Sequence, residues 1–422
     1  MSNNERVLGV IGAGTMGGGI AHAAAAGGFK VMCTDTDPKL VEQAFGKIRE
    51  RLDSSVSKGR ISSRERDEVA ARLHVCKGYD AFADAECVIE AAPEDLALKK
   101  KIFAELDKLP AKVLRASNTS SLAIAKIADG LKHADRVLGL HFFNPAPVMQ
   151  LIELVQAPQT SAQSVVDARA VCAKLDKTAV KVKDSPGFIG NRVNRPFYLE
   201  ALRLLETGEG DIRTIDSALK TVGDFKMGAF ELLDLIGLDI NLKVTETVYQ
   251  DFNKPARFTP NAIQQKLVQA GKLGRKTGCG FYDYSNGDPL PAYESKPKST
   301  SGWKPSAAVA ELAKALDKPA DRAMWLFARV WTAVVNEAAH VANTIALARD
   351  VNLTMELGFA YPQGPLALAD FVGLDVVQAL MSEFFKETGS DERYAPNPLL
   401  DELVRAGNLG EKTAHGFLYH SL

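Results

Sequence analysis

A short β-branched run, Val7-Leu8-Gly9-Val10-Ile11, leads directly into Gly12-Ala13-Gly14-Thr15-Met16-Gly17 and then into an alanine-rich stretch from Gly18 to Ala26. In that order the residues read as strand, glycine turn and helix, and each glycine has its own use. Gly12 permits the tight turn, Gly14 lets a pyrophosphate approach the backbone, and Gly17 lets the helix pack closely on the strand. Thr15 and Met16 belong to the same turn and count with it as cofactor-binding residues. A second apolar segment, Phe29 to Thr34, ends at Asp35, 18 residues beyond Gly17, where an acid for the ribose hydroxyls is expected. An acid there favours NAD and repels the 2′-phosphate of NADP. The plainer alternative is a glycine-rich turn with Asp35 capping the next helix.

Two more apolar segments, Cys87–Ala92 and Val113–Ser117, end in polar clusters, Glu94 to Lys99 and Asn118 to Ser121. In an open α/β sheet the ligand lies off the carboxyl ends of the strands, so both clusters should face one crevice. Taken alone, Ser120 also reads as a cap for a helix starting near Leu122. Between residues 38 and 73, Leu40, Val41, Phe45, Ile48 and Leu52 fall at helical spacing, with Lys47, Arg49, Arg51, Lys58, Arg60 and Arg64 among them. By default those cations form a solvated face, but they suit a substrate that carries phosphates. Arg136–Leu140 makes a further strand ending at His141, and in Leu151–Val155 Glu153 interrupts an apolar run. A carboxylate in an apolar strand needs a partner. His141, twelve residues upstream, would give a base and its orienting acid at the ligand end of a dinucleotide sheet, the equipment of a dehydrogenase. The bland reading of the pair is a structural hydrogen bond.

The second half repeats itself at an offset close to 136 residues. Leu235-Ile236-Gly237-Leu238-Asp239 returns as Phe371-Val372-Gly373-Leu374-Asp375, and Ala270-Gly271-Lys272-Leu273-Gly274 returns as Ala406-Gly407-Asn408-Leu409-Gly410. This indicates duplication of a mostly helical domain. The expected division is an N-terminal α/β domain over 1–184, helical copies over 185–284 and 321–422, and a linker over 285–320, where Pro, Ser, Gly and Lys accumulate. The copies are expected to bury faces against each other as two subunits would.

With 422 residues and a net charge of -1, the chain is long enough for two or three domains and gives no reason to expect a nucleic-acid or membrane partner. No uncharged apolar run would span a bilayer, and the opening Met1-Ser2-Asn3-Asn4-Glu5-Arg6 lacks the basic-then-apolar order of a signal peptide, so a cytoplasmic protein is expected. Five scattered cysteines suggest neither a disulfide framework nor a metal site.

Taken together, Gly12-Ala13-Gly14-Thr15-Met16-Gly17, Ser117-Asn118-Thr119-Ser120-Ser121-Leu122, His141-Phe142-Phe143-Asn144-Pro145 and Pro186-Gly187-Phe188-Ile189-Gly190-Asn191-Arg192 resemble the L-3-hydroxyacyl-CoA dehydrogenase family over nearly the whole chain. The resemblance implies a Rossmann-type doubly wound sheet followed by two copies of an all-α dehydrogenase domain, NAD as cofactor and an acyl-CoA as substrate. It implies that His141 is the catalytic base, oriented by Glu153, and that Ser120 and Asn191 contact the substrate, with Asn144 supporting the same cluster. It places Asp35 at the adenosine ribose, and Glu94 and Lys99 near the nicotinamide ribose. It makes Lys58 and Arg51, on the hairpin after Asp35, candidates for gripping CoA.

Two departures from the family's large multifunctional members shape the expectation. No hydratase domain precedes Gly12, so hydratase activity is expected to be absent. The second copy lacks a counterpart of Asp184–Phe188, so it is expected to be a packing partner, giving a monomer with an internal pseudo-dimer, or a homodimer. A dehydrogenase of free hydroxy or sugar acids, and a non-catalytic NAD-binding protein, are the competing readings. Acyl chain length, and whether the acyl group is dicarboxylic, are not legible.

Overall fold

The computed structural model describes residues 6–420; the segment Met1–Glu5, on which the signal-peptide reading rested, and residues 421–422 lie outside the described residues. The chain forms two compact units, Met1–Phe188 and Ile189–Leu422.

The N-terminal unit contains β1 (Val7–Ile11), α1 (Thr15–Ala26), β2 (Lys30–Thr34), α2 (Pro38–Ser57), α3 (Ser63–Ala71), β3 (Leu73–Val75), β4 (Cys87–Glu90), α4 (Leu96–Leu106), β5 (Leu114–Ser117), α5 (Ile124–Ala128), β6 (Val137–Phe142), β7 (Leu151–Gln156), α6 (Ala162–Lys174) and β8 (Thr178–Lys183). The strands form one sheet in the order β3-β2-β1-β4-β5-β6-β7-β8. Neighbours are parallel except β6 and β7, which are antiparallel. Strand order reverses at β1, which lies between β2 and β4, and the glycine turn leaves the sheet at that switch point. Strands β4, β5 and β6 are buried along their whole length. That fits continuous apolar runs in a sheet covered on both faces.

Close packing of α1 on β1 depends on two glycines. Gly12 has φ +94°, and a Cβ on it would lie 2.7 Å from Ala91 O. A Cβ on Gly17 would overlap Gly12 O, so only a hydrogen fits between helix and turn. Leu8 and Val10 share a single core with Ile20, Ala24, Val31, Phe45 and Ile48. Arg115, in the middle of β5, is fully buried. Its guanidinium donates to the carbonyls of Leu106, Leu109 and Val113, satisfying acceptors at and beyond the end of α4.

The C-terminal unit is helical: α7 (Gly190–Val193), α8 (Arg195–Glu206), α9 (Ile212–Thr221), α10 (Ala229–Ile236), α11 (Leu238–Asp251), α12 (Ala262–Gln269), α13 (Ala307–Ala315), α14 (Arg322–Val341), α15 (Ala348–Phe359), α16 (Pro365–Val372), α17 (Leu374–Glu387) and α18 (Pro398–Arg405). The offset of 136 carries the bounds of α10, α11 and α12 onto those of α16, α17 and α18. Polar supports repeat as well. Asp234 accepts from Phe281 N and Tyr282 N, and Asp370 accepts from Phe417 N and Leu418 N.

The copies differ at their first helix. Copy one breaks it into α7 and α8 at Pro196, where the missing N–H and the ring disrupt the helix. At the same offset copy two has Thr332, whose hydroxyl donates to Ala328 O within an unbroken α14. Part of the segment expected to be linker is ordered. Apolar residues of α13 (Val309, Leu312 and Ala313) are buried, so a stretch read from its flanking Pro and Ser holds a packed amphipathic helix.

Buried charge joins the copies. Glu200 of α8 binds Arg329 of α14 at 2.9 Å and accepts from the Tyr394 hydroxyl. Glu337 of α14 binds Arg192 and Arg257 of the first copy. Among the described residues no single helix is long and apolar enough to cross a membrane, and no cluster of three or more His, Cys, Asp or Glu is placed to hold a metal.

Candidate active site

The antiparallel register of β6 and β7 puts His141 directly opposite Glu153, and Leu140 opposite Leu154. Residues opposed in this way project from the same face of a sheet, so a spacing of twelve becomes a cross-strand pair. His141 Nδ1 lies 2.6 Å from Glu153 Oε2. Glu153 is fully buried and the His141 side chain is 10% exposed, so the ring remains reachable while its carboxylate is shielded. An ionised carboxylate accepts only, so it selects the tautomer with the proton on Nδ1 and presents Nε2 as the nitrogen that can take a proton. Phe143 and Phe188 flank the imidazole, with ring centroids 4.8 Å and 5.8 Å away. Phe142 N donates to Asn118 Oδ1 at 2.8 Å, tying the end of β6 to the loop after β5.

That loop is organised by Glu94. Its Oε1 accepts from Thr119 Oγ1 at 2.6 Å, Ser121 Oγ at 2.9 Å and the backbone N–H groups of Ser120 and Ser121. Burial opposes the charge on Glu94, but the Thr119 hydroxyl, nearby Lys99 and the remaining donors outweigh it and hold the carboxyl below its ordinary value. Ser120 does not cap a helix near Leu122. The Thr119 hydroxyl accepts from Leu122 N, and α5 starts only at Ile124.

Lys99 is buried beneath this loop, 2.7 Å from Glu90 Oε1 and 3.5 Å from Glu94 Oε2. The other oxygen of Glu90 accepts from Ser117 Oγ at 2.6 Å. Glu90 and Ser117 escaped the sequence reading because each ends an apolar strand, where a polar residue usually marks the edge. Their adjacency follows from the parallel β4–β5 register, which pairs them directly. Asn144 is exposed and makes no side-chain hydrogen bond to this cluster among the described residues; Asn118 fills the bonding role nearest His141.

The turn after β1 fits a dinucleotide. Nothing lies within 4 Å of the position a Cβ on Gly14 would occupy, and α1 starts with neither a side-chain cap nor an acidic residue in its first turn. Its first N–H groups therefore suit a pyrophosphate. Asp35 Oδ2 accepts from Ala13 N at 2.7 Å, fixing the carboxylate against the turn. The capping alternative fails, because the cap of α2 is Asp37, which accepts from Lys39 N. Beside the turn, a cleft of 280 Å³ is lined by Gly14, Thr15, Gln43, Lys47, Ile48 and Arg51. Lys58 lies at the far end of α2, exposed, and does not line it. Asn191 belongs to the C-terminal unit, on α7, where its carbonyl accepts from Arg195 Nε.

Sequence comparison matches the family described as "3-hydroxyacyl-CoA dehydrogenase, NAD binding domain" to residues 7–185, and the corresponding C-terminal domain to 187–284 and again to 325–420. A 3-hydroxyadipyl-CoA dehydrogenase of Escherichia coli (strain K12) is 34% identical, over 95% of this chain and 98% of its own. A 3-hydroxybutyryl-CoA dehydrogenase of Mycobacterium tuberculosis is 38% identical and is covered completely, but spans only 67% of this chain. Among solved structures, a 3-hydroxybutyryl-CoA dehydrogenase from Escherichia coli K12 superposes with a TM-score of 0.85 at 33% identity, covering 95% of this chain and 99% of that one.

Proposed function

The chain belongs to the 3-hydroxyacyl-CoA dehydrogenase family of NAD-dependent oxidoreductases, and on that premise we propose that it oxidises an (S)-3-hydroxyacyl-CoA to the 3-oxoacyl-CoA, with His141 as general base. The observation that carries this reading is the hydrogen bond between His141 and Glu153, set by strand register at the carboxyl end of β6. Oxidation of a secondary alcohol removes a proton from oxygen and a hydride from carbon. NAD, when bound, supplies the hydride acceptor. Nε2 of His141 takes the hydroxyl proton, and the buried carboxylate of Glu153 holds the ring in place and stabilises the imidazolium that forms. Ser120 and Asn191 hydrogen-bond substrate oxygens, a role implied by the family motifs they occupy. Gly12, Gly14, Thr15, Met16, Gly17 and Asp35 hold NAD, with Glu94 and Lys99 shaping the loop beside it, and Arg51 and Lys58 are the cations offered to CoA.

In this reading residues 1–184 form the cofactor domain, 185–284 the catalytic helical copy and 321–422 the supporting copy. The substrate class is tested by following NADH formation with a series of (S)-3-hydroxyacyl-CoAs, including one with an ω-carboxylate, alongside free 3-hydroxybutyrate and with NADP replacing NAD. Turnover of the CoA thioesters with NAD, at least about 100-fold above the free acid, is expected. Equal turnover of the free acid would reject the CoA assignment.

A further inference from the structure

Asn191 stands on α7, a single helical turn that Pro196 has cut off from α8. One turn of helix is not stable by itself, so its position must come from what packs against it. The residues on either side of Asn191 are both held by the second helical copy. Before it, a Cβ on Gly190 would overlap the Phe359 ring and lie 3.3 Å from Thr354 Cγ2, so the backbone sits directly on α15. After it, Arg192 is buried and donates from Nε to Glu337 Oε1 on α14, while its guanidinium lies 4.7 Å from the centre of the Phe252 ring. Glu337 is 1% exposed and its second oxygen accepts from Arg257 at 2.7 Å.

The second copy has nothing of the kind at its own equivalent site. At the offset of 136, Asn191 corresponds to Phe327 and Arg195 to Trp331, both apolar and buried in an unbroken helix. We infer that the second copy acts as a positioning device for the first: Glu337 and Phe359 clamp the turn on both sides of Asn191 and so set the substrate hydrogen bond made by that side chain. The inference rests on the substrate role given to Asn191 above. Glu337 and Phe359 are positioning residues and do not themselves touch the substrate.

Two variants of the full-length enzyme test the clamp, each compared with a control at the same interface. Glu337→Gln leaves Arg192 and Arg257 facing a neutral amide, and Phe359→Ala removes the ring under Gly190 without disturbing charge. Glu200→Gln weakens another inter-copy ion cluster, one anchored on α8 rather than α7. Displacement of a substrate-orienting group by about 1 Å can cost up to about 100-fold in rate. The expected result is a fall of about 10- to 100-fold in kcat/KM for 3-hydroxybutyryl-CoA in Glu337→Gln and Phe359→Ala, with the apparent affinity for NAD unchanged. Glu200→Gln should lower the melting temperature and leave kcat/KM near wild type. In an Asn191→Ala background, Glu337→Gln should add little to the loss already present, because both act through one side chain. If one of the two clamp variants does not fold, the other gives the same reading. A full loss in Asn191→Ala together with undisturbed kcat/KM in the clamp variants would overturn the clamp alone. An undisturbed Asn191→Ala would overturn the substrate role of Asn191 and the clamp with it.

Discussion

Glu153 is a carboxylate inside a buried strand flanked on both sides by other strands, and its bond to His141 helps make that placement tolerable. This pair was legible in the sequence, since an acid interrupting an apolar run twelve residues after a histidine has few uses. The Glu90, Lys99 and Ser117 cluster was not, because its members are brought together only by strand pairing and by a helix that begins after a loop. The two helical copies offer a second residue-level comparison. Asp216 accepts from Phe230 N, Glu231 N and the Tyr282 hydroxyl, whereas its counterpart in copy two is Asn352, which accepts from Leu366 N and Ala367 N. Burial raises the Asp216 carboxyl to about 7 from an ordinary 3.8, despite the opposing hydrogen bonds from Phe230 N and the Tyr282 hydroxyl. The folded chain therefore holds a proton that the unfolded chain releases, and the stabilisation it brings is present below the unfolded pKa and lost as pH rises through the folded one. Asp216→Asn should remove this loss, so a plot of melting temperature between about pH 4 and pH 7 should fall less steeply than for wild type. An identical slope would show that Asp216 does not titrate in this range.

At the scale of the elements, apolar runs between polar turns identified the inner strands of the cofactor sheet, because a sheet covered on both faces requires such runs, but not the edge strands β3 and β8, of which β8 alternates buried and exposed residues. Helical features went unread as well. A helix, α13, lies in the segment whose flanks advertise a linker, and the α7–α8 break depends on one proline whose consequence appears only beside the unbroken α14. The glycine turn makes the sharpest prediction here. Gly17→Ala places a methyl group against Gly12 O, so α1 must lift from β1 or the turn must open. Overpacking of this kind costs about 1–3 kcal/mol. The variant should melt lower and bind NAD at least about 5-fold more weakly, as measured by calorimetry and NADH fluorescence; wild-type NAD affinity would show that the turn has slack.

On the scale of the whole molecule, the repeat offset of 136 was visible in the sequence, but the joining of the copies through Glu200, Arg329, Glu337 and Arg192 was not. Charged residues in amphipathic helices read by default as solvated, and only packing shows these four to be buried. Ten residues of α8 are buried, so removing residues 287–422 should uncover an apolar face with unpaired charge and drive the shortened chain to self-associate. Sedimentation should show dimers or larger species; a stable monomer of full activity would contradict the dependence of copy one on copy two. The role of His141 as general base is open to direct test by its own replacement. The rate of NADH formation from (S)-3-hydroxybutyryl-CoA should be compared for wild type and His141→Gln, with NAD binding measured on both. With His141 as the general base, kcat should fall by about 100-fold or more while NAD binding is unchanged. Undiminished kcat in the variant would exclude His141 as the base.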